Sequence, residues 1–386
     1  IGFDLTAGQL YWLTAMPGLS GGLIRLIYMF LPPIMGTRRL IGISSLLYLI
    51  PMLGWFFAVQ DTSTPYPVLL LLSFLCGIGG GTFSGYMPST GYFFPKRLSG
   101  TALNVQAGLG NLGMSIIQMV GPWLMGFGLL GIAFIAPQRE ADNHAIFVHN
   151  AAIFFVPWTI LAAVLAFTLL KDVPVKANIR QQIDIFGNAN TWCMTLLYVL
   201  TFGLFSGFSA QFGLLINNTF GASSSLAQAG YQNLPLGATY AFLGPLIGSL
   251  VRVAWGPLCD RVSGGFWTFV SAVGMAITLG WAALYLHPDG PSAFRPFLWA
   301  MLVMFFFAGI GNAGTFKQMP MIMPKRQAGG AIGFTAAVAC FGPFFVGVAL
   351  SAMDAAVWFW ICAAYSALCA VICWIRYARP GAPFPG

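Results

Sequence analysis

The chain has 386 residues, 58% of them hydrophobic and only 7% charged, against about 25% charged in a typical soluble domain. A soluble fold cannot hide that much apolar surface, so lipid is the solvent for most of the chain. The formal net charge is +8, but the basic residues fall singly or in pairs at the ends of apolar runs rather than in one solvated patch, which excludes a nucleic-acid surface.

In chain order the apolar runs cover 10–33, 40–59, 68–94, 101–127, 150–170, 192–217, 235–258, 266–286, 297–323, 330–352 and 355–376. Each has about the 20 residues that a membrane-crossing helix needs. The expectation is an all-α polytopic membrane protein with eleven transmembrane helices. Short loops with turn chemistry separate the runs, as at 60–67 and 287–296. Only 137–150 and 171–190 are longer polar stretches.

Twelve of the 17 Lys and Arg residues gather on one side of this pattern, and only Arg139 and Arg295 on the other. The remaining three, Arg25, Arg252 and Lys317, lie inside spans. The positive-inside rule then places 171–190 and the C-terminus in the cytoplasm and 137–150 outside. The seven cysteines show no zinc-type spacing and read as reduced packing residues. His144, His149 and His287 all fall on the outer side, with no nucleophile–base constellation around them. Neither a metal, a cofactor nor an enzymatic site is expected.

Three echoes divide the chain. Leu23-Ile24-Arg25 returns as Leu250-Val251-Arg252, Thr82-Phe83 as Thr315-Phe316, and Pro95-Lys96-Arg97 as Pro324-Lys325-Arg326, at offsets of 227, 233 and 229 residues. Two homologous halves follow, 1–170 and 192–386, joined by a cytoplasmic linker at 171–191. Parallel halves of six helices each are the build of major facilitator carriers. The span at 192–217 has no counterpart one offset earlier, so the expectation is that the first helix is missing, with Ile1–Gln9 the loop that followed it.

An arginine at the centre of a membrane helix costs roughly 2.5–3.5 kcal/mol even on the lenient insertion scale. Arg25 lies about 16 Å from the turn at Gly36, and Arg252 about 12 Å from Asp260. All nine acidic residues sit in loops or at span ends, which leaves both arginines without a carboxylate partner. Two such cationic centres suit a small anion, because a guanidinium stays protonated and presents a planar donor fork. Lys317 is roughly 10 Å deep. It either snorkels to the interface, serves gating or anion attraction, or deprotonates to couple protons. Asn111 is polar at depth and either faces the path or bonds a neighbouring helix. Its surroundings, Gly108-Leu109-Gly110-Asn111-Leu112-Gly113, spell a dinucleotide fingerprint, but inside a membrane span and without a preceding strand. Phe83, Tyr198, Phe202 and Phe316 are aromatics in spans, of which Phe83 and Phe316 hold equivalent places in the two halves.

Gly79-Gly80-Gly81-Thr82-Phe83 through Phe93-Phe94-Pro95-Lys96, followed by Ala107 to Gly113, resembles the first glycine-rich signature of the nitrate/nitrite porter family. Ala308-Gly309-Ile310-Gly311-Asn312-Ala313-Gly314-Thr315-Phe316 through Ala328 to Phe334 resembles the second. The likeness runs along the whole chain. It implies a major facilitator fold and a substrate held between two arginines, which match Arg25 and Arg252. The family's aromatics that sandwich a planar anion match Phe83, Tyr198, Phe202 and Phe316, and its signature asparagine matches Asn111. Where some members carry a serine near the substrate, this chain has Ala336, with Thr335 just before it; Thr335 and Lys317 are candidates for gating or coupling. The implied activity is exchange of nitrate and nitrite across a bacterial cytoplasmic membrane by a monomeric carrier embedded in lipid. Proton-coupled import of either anion is the alternative. The lack of a midplane carboxylate favours exchange, since proton symport commonly runs through an Asp or Glu relay.

Overall fold

A computed structural model describes residues 3–126, 138–139, 145–172 and 183–384. Residues 173–182 of the linker, 137 and 140–144 of the stretch expected outside, and 127–136 before it lie outside the described residues, with Glu140, Asp142, His144, Lys176 and Arg180. Apart from a two-residue antiparallel pairing of Gln138–Arg139 with Ala145–Ile146, the regular structure among the described residues is helical.

The first half contains α1 (Ala7–Tyr28), α2 (Thr37–Ala58), α3 (Tyr66–Met87), α4 (Ser99–Met125) and α5 (Asn150–Leu169). The second contains α6 (Ala189–Thr219), α7 (Gly237–Arg261), α8 (Gly264–Ala283), α9 (Pro291–Ile322), α10 (Lys325–Ala352) and α11 (Ala355–Ala378). Nine of these, all but α1 and α4, combine the length and apolarity of a membrane crossing. At 22 and 27 residues α1 and α4 are long enough, but their composition is diluted. Glycines crowd both, and α4 adds Asn104, Gln106, Asn111 and Gln118. Polar and small residues at that density belong on helices that face protein rather than lipid.

Local chemistry sets the helix starts. Thr6 and Gln9 form a reciprocal capping box at the head of α1. Asp354 caps α11 by accepting from the backbone N–H groups of Ala356 and Val357. Outward-facing side chains such as Phe57, Trp123, Leu169, Ile277 and Leu284 stay at least 64% exposed, the apolar coat that a bilayer covers. Inside the second half, Phe205, Phe208, Phe212, Phe297, Phe305 and Phe359 form one aromatic core. The two halves meet along α1 against α10, α3 against α10 and α4 against α7, and the intramembrane arginines sit on two of those helices.

Candidate functional site

Arg25 projects from the last turn of α1 and is buried. A Cβ added to Gly80 would lie 3.6 Å from the Gly21 Cα, so α1 and α3 cross almost backbone to backbone. That crossing brings the Gly80 carbonyl within reach of Arg25, whose Nε donates to it at 2.6 Å. Nη1 donates to the Ala336 carbonyl at 2.9 Å, on α10 of the other half. The departure from serine at position 336 is therefore harmless to this contact, which uses the backbone.

Arg252, on α7, is fully buried. Its Nε donates to Asn104 Oδ1 at 3.3 Å and its Nη1 to the Tyr198 hydroxyl at 3.4 Å. Among the described residues its Nη2 has no hydrogen-bond partner. A buried, unsatisfied donor on a charged group costs about 1–3 kcal/mol or more, so a ligand that accepts from it gains that much. Among the described residues no carboxylate pairs with either arginine; the ion pairs lie at His287–Asp354, Lys317–Asp260 and Arg326–Asp184.

Four aromatic rings close a circuit between the arginines. Phe83 stacks on Phe202 at 6.0 Å, and Phe202 on Tyr198 at 5.2 Å with their planes 5° apart. Tyr198 meets Phe316 edge-on at 4.7 Å, and Phe316 meets Phe83 at 6.1 Å. The Arg25 guanidinium carbon lies 4.7 Å from the Phe83 centroid and 5.6 Å from that of Phe202. That of Arg252 lies 4.8 Å from Phe316 and 6.0 Å from Tyr198. Each cation thus sits at one flank of the same ring cluster. Tyr198 precedes a π-helical turn at Val199–Gly203 within α6, and Phe202 lies in it; such widened turns recur at functional sites.

The other predicted residues stand apart from this cluster. Asn111 is buried, its Nδ2 without a partner among the described residues, but the side chain of α4 that bonds Arg252 is Asn104, two turns nearer the basic end. Thr335 shares a 3.0 Å hydroxyl bond with Thr195, inside the second half. Lys317 pairs with a carboxylate. It is buried, and its ammonium donates to Asp260 at 2.7 Å. Depth counting located Lys317 but not its partner, because Asp260 counts as a span end in the sequence, whereas it occupies the last turn of α7 with 11% of its side chain exposed. A cavity of about 340 Å³ opens beside the pair, lined also by Arg97 and Arg261. Asn104 went unread because nothing in its local sequence marks it; only the crossing of α4 and α7 makes it a neighbour of Arg252.

Two helical halves closed around a cationic, aromatic-lined centre define a membrane carrier. A model of the Major Facilitator Superfamily matches residues 2–346. Among solved structures, the proton:xylose symporter XylE superposes with a TM-score of 0.71 at 14% identity, covering 96% of this chain and 87% of that one. FucP in its outward conformation gives 0.65 at 14% identity, covering 96% and 91%. Both likenesses are to the fold alone. In sequence, the chain is 52% identical to the probable nitrate/nitrite antiporter NarK2 of Thermus thermophilus, over 100% of this chain and 87% of that protein. It is 30% identical to the nitrate/nitrite transporter NarU of Escherichia coli (strain K12), over 98% and 85%. The chain belongs to the major facilitator superfamily and, within it, to the nitrate/nitrite porter family.

Proposed function

We propose that this protein is a secondary carrier that exchanges nitrate for nitrite across a bacterial cytoplasmic membrane, working as a monomer and holding one anion at a time between Arg25 and Arg252. The unpartnered Nη2 of Arg252, buried with no carboxylate paired to either arginine, carries this reading. A planar oxyanion accepts from guanidinium forks in its own plane, and the faces of Phe83, Phe202, Tyr198 and Phe316 exclude water around it. The relatives named for nitrate and nitrite supply the identity of the anion.

The same reading assigns eleven crossings, α1 and α4 among them. Residues 1–170 and 192–386 act as the two rocking bodies, 171–191 links them, and the basic end with the C-terminus faces the cytoplasm. With the site empty, two buried cations oppose each other's approach, and bound anion relieves that repulsion. Loaded halves therefore reorient and empty ones do not. Asn111, with an unpartnered amide, is assigned to the path on the side of Arg252 away from the basic end.

Proton-coupled import is kept as a second reading on one observation: Lys317 and Asp260 form a buried ion pair where α7 meets the start of α4. Labelled nitrate uptake into proteoliposomes preloaded with nitrite, or with no anion, separates the two. Exchange predicts uptake only against internal nitrite, with no response to an imposed proton gradient. Uptake into anion-free vesicles driven by that gradient would instead establish symport.

A further inference from the structure

Asn104 is fully buried on α4, in the first half, and both ends of its carboxamide serve the second half. Its Oδ1 accepts from Arg252 Nε on α7, and its Nδ2 donates to the Ala313 carbonyl on α9 at 3.1 Å. A carboxamide places the acceptor and the donors on separate atoms, so it serves both helices at once. One helical turn away, toward the basic end, the same helix is clamped again. Asp260 Oδ1 accepts from the Gly100 backbone N–H at 3.0 Å, and its Oδ2 accepts from the Thr101 N–H at 2.8 Å and the Thr101 hydroxyl at 2.6 Å.

The clamp answers a definite need. The first N–H groups of a helix have no intrahelical acceptor, and the N-cap residue of α4, Leu98, has no side chain that can accept a hydrogen bond. Asp260 supplies the cap from the other half, with its charge at the favourable end of the helix dipole. The fit is close: a Cβ on Gly256 would lie 3.2 Å from the Gly100 oxygen and 3.2 Å from the Thr101 Cα. Any separation of α4 from α7 at this end therefore breaks the Asp260 cap and threatens the Asn104–Arg252 bond in the same movement.

We propose that Asn104 is a positioning residue that couples the central site to this gate: it orients the Arg252 guanidinium while the gate is shut, and its withdrawal on opening is tolerated only when a bound anion takes over as acceptor. The inference rests on the proposed anion site. In the empty carrier, opening strips a buried guanidinium of an acceptor. In the loaded carrier the oxyanion replaces Asn104, so opening costs less, and exchange is favoured over net movement.

Two substitutions act on different readouts of this coupling, a split that a merely structural role would not produce. Asn104→Leu removes the acceptor from the closed state, so the empty carrier loses its penalty. The ratio of net nitrate efflux (no external anion) to nitrate/nitrite exchange rises about tenfold, the worth of one hydrogen bond to a charged group. Asn104→Asp sets a carboxylate on Arg252 that competes with the substrate, so the nitrate KM for exchange rises about a hundredfold, while the net-to-exchange ratio does not rise. Asn104→Ser, too short to reach Arg252, carries the same expectation as leucine if the leucine variant does not accumulate in the membrane. Reconstituted variants that exchange nitrate with an unchanged net-to-exchange ratio for leucine or serine, or an unchanged KM for aspartate, would overturn the role of Asn104. Wild-type vesicles that exchange no nitrate would overturn the anion site itself.

Discussion

The centre of the molecule and its basic gate each bury a cation, and they treat it oppositely. Lys317 is neutralised by Asp260 at 2.7 Å, and that carboxylate also accepts three bonds from the start of α4. Arg25 and Arg252 receive only neutral acceptors: two carbonyls for the one, an amide and a phenol for the other. A buried charge that has found its counter-charge is structural. One surrounded by neutral groups, with a nitrogen left over, is arranged for a charge that arrives later. The two arginines differ as well. Arg25 is held by backbone carbonyls, one from its own half and one from the other, whereas Arg252 is held by side chains that can exchange partners.

The largest expected effect lies at the gate. Asp260→Asn strands Lys317 as an unpaired buried cation and weakens the α4 cap, and destabilisation of about 3 kcal/mol is expected, read as a lower melting temperature in detergent. Adding Lys317→Met should restore part of that loss. A double variant no more stable than the single one would show that the pair is not the source. At the centre, Arg25→Lys and Arg252→Lys keep the charge and lose the fork; each should lower kcat/KM for nitrate exchange about a hundredfold, with melting temperature little changed.

Smaller effects sharpen the contrast. Phe202→Leu keeps bulk but removes the ring that links the two arginine flanks, and nitrate affinity should fall about fivefold, within the range of a desolvated cation–π contact. Thr335→Val removes one hydroxyl bond to Thr195 and should cost about 1 kcal/mol of stability without altering the nitrate KM. A KM change there would move Thr335 into the transport machinery. Exchange itself should be flat between about pH 6 and 8, because arginine keeps its proton throughout that range. A steep slope would draw Lys317 and Asp260 into the transport cycle.

The arginines were legible in the sequence for a physical reason. Intramembrane charge is costly enough to stand out singly, and the internal repeat turned Arg25 and Arg252 into a pair. The four aromatics depended on resemblance, since their spacing alone does not distinguish a ring that packs from one that lines a site. Asn104 and the Lys317–Asp260 pair were not legible. Each contact joins different helices, and its existence depends on the rotation and depth of two helices across a packed crossing, which a run of apolar residues does not encode. The diluted apolarity of α1 and α4 points the same way: both carry a side chain of the central cluster, Arg25 and Asn104, on a helix whose composition least resembles a membrane span.

Nitrate binding to the purified protein, measured by calorimetry for wild type, Arg25→Lys and Arg252→Lys, tests the central claim most directly. The account predicts one anion bound per chain in wild type, displaced by nitrite, and binding weakened about a hundredfold in each lysine variant. Wild-type affinity in both variants would contradict it.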